Sequence, residues 1–293
     1  MGSRVKPCLM VIESVLRPQI VGKSVSTMFL SFLLTSSLRM IVVFTVLCIS
    51  CLGSAKSPLE TTAPARTFAD YVSGPYALPP PVIVDRLLTS TCSRQRRTTA
   101  TVSRIMLHFT SAVAIKPRDP FNVRAVLDIF TSYTVSAHYL VDRNGIIYRL
   151  VPEERTAFHA GRGSLPGPPF LENALNDHSI GIELMAMGSM RDMRPFLKPE
   201  RYRQMQADHP EWFGYTDDQY NALRALLADI MRRFPEIKPI RTHIVGHDEY
   251  APGRKTDPGE LFDYSRVGLN QHLPVGWAVP ATDSPTTATA PMP

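Results

Sequence analysis

Cysteine is scarce in this chain. Of four residues, Cys8, Cys48 and Cys51 lie in or before an apolar N-terminal stretch, which leaves Cys92 alone in the remainder. That distribution excludes a disulfide framework and a cysteine-built metal site. No internal repeat is visible, so the chain is not a repeat array. No motif of a nucleic-acid-binding module is present, and the basic cluster of Arg94, Arg96 and Arg97 sits in a linker-like stretch. The formal net charge of +6 therefore fits anionic lipid or an acidic cell wall, and no nucleic-acid partner is expected.

Long apolar runs are also lacking. Residues 40–52, MIVVFTVLCISCL, are too short for a comfortable membrane span but match the apolar core of an export signal. Arg39 supplies a basic flank, and Gly53-Ser54-Ala55 places small residues where a signal peptidase cuts, after Ala55. The reading is an N-terminal extension and signal peptide over 1–55, with export to the periplasm or cell envelope. Cys51 follows Ile49-Ser50, as in a lipoprotein processing site, although Cys48 stands where leucine is expected. An outer-membrane lipid anchor through Cys51, or a single membrane anchor, are the alternatives to a free exported protein.

Proline, at 26 residues, clusters outside the middle of the chain. Residues 56–100 are rich in Pro, Ser, Thr and Arg and read as a linker or an extended arm wrapped on the domain, not a core element. Residues 273–293, mostly Pro, Thr and Ala towards the end, read as a disordered tail. Between them, 101–272 carries the fold. Alternation predicts strands over 102–109, 135–141 and 179–185, and another over 240–246. Asn144-Gly145 predicts a hairpin turn into a strand over 146–151. Helices are predicted over 120–131, from Thr216, whose cap is reinforced by Gln219, to Phe234, and over 260–270. Strands alternating with helices, plus one hairpin, imply a single α/β domain with a central mixed sheet flanked by helices. A monomer is expected.

Three potential metal ligands stand at or just after strand ends, where α/β folds place active sites. They are His108, His247 and Asp257. Two histidines and a carboxylate suit a catalytic zinc, which keeps one position open for water. His243, four residues before His247, is the rival ligand.

The segment His247-Asp248-Glu249-Tyr250-Ala251-Pro252-Gly253-Arg254-Lys255-Thr256-Asp257-Pro258-Gly259 resembles the zinc-loop signature of the type 2 N-acetylmuramoyl-L-alanine amidases. These include the AmpD- and AmiD-type amidases and the peptidoglycan recognition proteins. Leu107-His108, Val135-Ser136-Ala137-His138-Tyr139-Leu140-Val141, Phe158-His159-Ala160-Gly161 and Asn176-Asp177-His178-Ser179-Ile180-Gly181-Ile182-Glu183-Leu184 agree with the same pattern, with Phe158 where the family often has Trp. The resemblance covers about 101–270. It implies Zn2+ held by His108, His247 and Asp257 at one end of the sheet. It also implies Glu183 as the catalytic acid–base and Lys255 as the cation beside the metal. His159, Asn176 and Arg254 are expected to contact substrate. The implied activity is hydrolysis of the amide between N-acetylmuramic acid and L-alanine in peptidoglycan. The alternative is a peptidoglycan-binding protein that keeps the fold without the chemistry.

Overall fold

The computed structural model describes residues 68–73 and 75–277, which fall in one compact unit, Thr61–Pro293. The expected signal segment, Cys51 and residues 278–293 lie outside the described residues. Among the described residues no helix is long and apolar enough to cross a membrane.

In chain order the elements are α1 (Ala69–Val72), β1 (Ile83–Asp85), β2 (Ser93–Gln95), β3 (Arg104–Thr110), α2 (Val123–Tyr133), β4 (Tyr139–Val141), β5 (Ile147–Arg149) and β6 (Arg155–Ala157). There follow α3 (Leu175–His178), β7 (Ser179–Met185), α4 (Met190–Met193), α5 (Pro199–Asp208), α6 (Asp217–Arg233), β8 (Ile244–Gly246) and α7 (His247–Tyr250). Six strands form the main sheet in the order β1-β5-β4-β7-β3-β8, while β2 and β6 make a separate pair. β4, β7, β3 and β8 run parallel, and β5 returns antiparallel to β4. The sheet is therefore mixed, as the sequence pattern implied.

The period-2 alternation of strands divides the sheet into two unlike faces. Ile105, Leu107, Ile180, Ile182, Leu184 and Ile244 pack with Leu223, Leu226, Leu227 and Ile230 of α6 in the largest core cluster. α6 begins as its sequence predicts: Thr216 Oγ1 accepts from the Gln219 N–H at 3.1 Å, and Gln219 Oε1 accepts from the Thr216 N–H at 3.1 Å. The intervening residues, Met106 and His108 on β3 and Gly181 and Glu183 on β7, turn to the opposite face. That face carries two smaller apolar clusters, one around Met106, Val245 and Tyr250 and one around Leu140 and Phe130. The functional side chains emerge between them.

Several elements are shorter than predicted, and for three of them the reason is local. The strand expected over 135–141 starts only at Tyr139, because the Ser136 side chain bonds to Cys92 O and the Phe158 N–H. The one expected over 240–246 starts at Ile244, because residues 240–243 close a turn through the His243 N–H to Ile240 O bond. The helix expected over 260–270 is a single 3-10 turn, Tyr264–Val267, capped by Asp263 and stopped by Gly268 at φ 74°. A side chain at Gly268 would also meet the Phe68 backbone at 3.0 Å.

The described part of 56–100 is built into the fold. β1 adds to the sheet edge beside β5, β2 pairs with β6, and Phe68 is 1% exposed in the main core. Arg96 fastens this arm, its guanidinium donating to the carbonyls of Asp177 (2.5 Å), Arg155 (2.8 Å) and Glu153 (3.0 Å). At the other end, Trp277 packs on the Leu165, Leu175 and Tyr250 cluster, directly over Gly167.

Candidate active site

His108 lies near the C-terminal end of β3, where its backbone is fixed by pairing to both β7 and β8. His247 is the first residue of α7, directly after β8. The loop that follows turns back on itself: the Asp248 N–H donates to Asp257 O at 2.9 Å, and the Tyr215 hydroxyl donates to Pro258 O at 2.6 Å. These bonds bring the Asp257 carboxylate between the two histidines. Its Oδ2 lies 2.7 Å from His108 Nδ1 and 3.0 Å from His247 Nδ1. One ligand atom from each of the three falls within 4.8 Å of the others, the single such group among the described residues. His243 is not part of it; its ring lies by the Lys238 N–H at 3.3 Å.

The electrostatics suit a cation. Burial pulls the His108 imidazole down to about 4, against the pull of its bond to Asp257, so it is neutral and able to ligate. Burial alone would lift the Asp257 carboxyl. The two imidazoles that face its Oδ2, His247 foremost, outweigh it and hold Asp257 well below the usual carboxylate range. His247 Nε2 faces Ala160 O at 2.8 Å. A carbonyl can only accept, so that nitrogen carries the proton and Nδ1 is left bare towards Asp257.

Glu183 pairs in register with His108 across β7 and β3, and with Leu140 of β4 on its other side. Parallel register puts the Glu183 and His108 side chains on one face, which the apolar neighbours in the sequence left open. Glu183 Oε2 is shut off from solvent and has no hydrogen-bond partner among the described residues. Burial, then the negative charge of Asp257, pushes this carboxyl well above its ordinary range, while Lys255 acts in the other direction. An unpartnered carboxyl beside an anionic ligand set is costly unless something positive shares the space. Two imidazoles and a carboxylate form a group that could hold a metal ion, with this acid beside it.

The three residues expected to contact substrate all bond within the protein. His159 Nδ1 lies 3.1 Å from His108 Nε2, and its Nε2 lies 3.2 Å from Ser179 Oγ. Asn176 Oδ1 accepts from the N–H groups of His159 (3.0 Å) and Ala160 (2.8 Å), so it shapes the turn that carries His159. Arg254 is exposed and donates to the carbonyls of Ala160 and Arg162 beside the metal group. An open cleft of about 400 Å³, lined in part by Arg162, Asn173, Tyr250 and Arg254, lies next to it. Sequence reasoning passed over Ser179, Asp177 and Arg96. The signal for Arg96 was its place in a basic cluster that pairs with buried Asp177, Arg94 bonding that carboxylate at 2.6 Å.

With this geometry in place, the comparisons with known proteins are decisive. The family described as N-acetylmuramoyl-L-alanine amidase matches residues 98–260. The chain belongs to the N-acetylmuramoyl-L-alanine amidase family. His108, His159, Asn176, Glu183, His247, Arg254, Lys255 and Asp257 all fall inside the matched stretch. Among amidases the chain is similar to the 1,6-anhydro-N-acetylmuramyl-L-alanine amidase AmpD of Citrobacter freundii, 36% identical over 132 residues, covering 45% of this chain and 54% of that protein. It is similar also to the N-acetylmuramoyl-L-alanine amidase AmiD of Escherichia coli K12, 33% identical over 170 residues, covering 56% of this chain and 51% of that one. The chain thus spans about half the length of these curated relatives. A solved complex of E. coli AmiD with anhydro-N-acetylmuramic acid-L-Ala-D-gamma-Glu-L-Lys aligns at TM-score 0.42 and 31% identity, covering 59% of this chain and 60% of that one.

Proposed function

We propose that this amidase-family chain is a zinc-dependent hydrolase of the amide between N-acetylmuramic acid and L-alanine in peptidoglycan. The observation that carries the reading is the convergence of His108, His247 and Asp257 on one point, with the unpartnered Glu183 carboxyl on the same sheet face. A protein that had kept the fold only to bind peptidoglycan would have no need of a complete ligand set and a carboxyl with a solvent-shielded, unpartnered oxygen beside it. Both curated relatives are named for this amide bond.

Zinc held by these three residues would act as a Lewis acid and make a water more acidic at neutral pH. Glu183 is suited to the proton traffic. Its raised proton affinity lets it take a proton from the attacking water and return it to the leaving L-alanine amine. Lys255, whose charge is felt at both Glu183 and His108, would stabilise negative charge on the carbonyl oxygen as the carbon becomes tetrahedral. Arg254 and His159 stand at the rim and the floor of this site. The export signal read in residues 1–55 would deliver the enzyme to the periplasm or cell envelope, free or held through Cys51.

Digestion of purified peptidoglycan, with products read by mass spectrometry, tests the proposal. Stem peptides beginning at L-alanine should be released, lost with chelator and restored by zinc. Tight binding to the wall with zinc present and no peptide released would replace it with the binding-protein reading.

A further inference from the structure

A chain of hydrogen bonds behind His108 can be read proton by proton. It starts at Leu175 O, which can only accept and is bonded by the Ser179 hydroxyl at 2.6 Å. Ser179 has one proton, and that bond uses it. Its Oγ must therefore accept from His159 Nε2, 3.2 Å away. A neutral His159 with its proton on Nε2 has a bare Nδ1, which accepts from His108 Nε2 at 3.1 Å. His108 then carries its proton on Nε2, and its Nδ1 lone pair is left facing Asp257 Oδ2, where the metal group converges. Every donor from Ser179 to His108 meets one acceptor, and the two lone pairs left over, His108 Nδ1 and Asp257 Oδ2, face one another at 2.7 Å as they would around a shared cation.

The room for this relay comes from a glycine. A side chain at Gly181 would place its Cβ 2.6 Å from His159 Cγ, inside contact distance of the ring. The His159 ring therefore lies flat on the backbone of β7, two residues from Ser179 and two from Glu183. Its backbone is held from the other side by Asn176 Oδ1.

We infer that His159 is a positioning residue that fixes the tautomer of His108, acting through Ser179 and Leu175 O, so that His108 presents Nδ1 to the metal. This assigns His159 to the floor of the metal site in place of the substrate contact that the sequence suggested. The inference rests on the zinc reading above. Partners of this kind behind a ligating histidine typically raise metal affinity about 10- to 100-fold.

The test measures zinc affinity by chelator competition in the full chain, with the wild type as reference. His159→Phe fills the ring space but offers no acceptor, and its zinc dissociation constant should rise about 10- to 100-fold. His159→Asn restores an acceptor near the position of Nδ1 and should recover most of that loss. Wild-type affinity in a folded His159→Phe protein would overturn the inference, as would equal losses in the two variants. If His159→Phe does not fold, the 15N imidazole spectrum of the zinc-loaded wild type decides. His159 protonated on Nε2 and bare on Nδ1 supports the relay, and the opposite tautomer overturns it. Failure of the wild type itself to bind zinc would strike the proposed function, which keeps the two failures distinct.

Discussion

His108 and Glu183 stand opposite one another in register across β3 and β7, on the sheet face that turns away from α6. A histidine that meets the metal group and a carboxyl with no partner on Oε2 are therefore fixed by backbone pairing, not by a loop. Glu183→Gln keeps the shape and removes the proton traffic. Turnover should fall about 10²- to 10⁴-fold while bound zinc stays stoichiometric. Steady-state rates and metal content measured together check this, and a near-normal rate would remove Glu183 from the mechanism.

His108→Ala and Asp257→Ala each delete a ligand from a three-residue set. Zinc and activity should be lost together, since a zinc centre with two protein ligands falls short of the usual set. Metal analysis after dialysis is the readout. Stoichiometric zinc in both variants would mean that the ligands lie elsewhere.

His138 supplies a pH dependence separate from catalysis. The Gly181 N–H donates to its Nδ1 at 3.0 Å, and its Nε2 donates to Arg155 O at 3.1 Å. Burial, then the Arg96 charge, pulls the imidazole down to about 3 from 6.5. The native state holds His138 neutral, while the unfolded chain takes up a proton below about 6.5. Its stabilisation is therefore present above that pH and is lost as pH falls towards 3, at about 1.4 kcal/mol per unit. Urea unfolding between pH 7 and 4 should show a flatter pH profile in His138→Asn than in the wild type. Equal slopes would show that His138 is protonated in the native protein.

Arg96 donates to carbonyls on two separate segments, 153–155 and 176–179. Arg96→Met removes this donor, leaving the Glu153 and Asp177 carbonyls without it while Arg155 O keeps the bond from His138 Nε2. Stability should fall by at least about 1–3 kcal/mol, the cost of leaving buried acceptors unsatisfied. An unchanged urea midpoint would mean that water replaces the guanidinium and that the arm is held by β1 and β2 pairing alone.

Trp277 lies beyond the matched amidase stretch yet covers Gly167 and the cluster of Leu165, Leu175 and Tyr250. Trp277→Ala should cost about 1 kcal/mol, roughly half of what full burial of a large side chain contributes. It should also speed proteolysis within residues 161–173. Identical digestion patterns would show that this ring is only resting on the surface.

Much of this arrangement was legible in the residues. The Asn144-Gly145 turn delivers the β4–β5 hairpin, with Gly145 at φ 77°, and the Thr216–Gln219 cap opens α6, because both depend on local bonds alone. The metal group came from motif order, and the structure brings those residues together. Three things were not legible. The face occupied by Glu183 depends on register with β3, a contact between strands distant in sequence. Whether 56–100 is a linker or an arm wrapped on the domain stayed open in the sequence, because the arm is held by pairing with strands distant in the chain and by Arg96 bonds to backbone carbonyls. The role of His159 depends on which nitrogen carries a proton, and that is decided by Ser179 and Leu175 O, neither of which carries a chemical signature.

Asp257 lies 149 residues along the chain from His108. A chain still emerging during synthesis, or one broken anywhere between these positions, holds at most part of the metal group. Most of the domain must therefore exist before the three ligands can meet, so an incomplete copy carries residues of the site without the site.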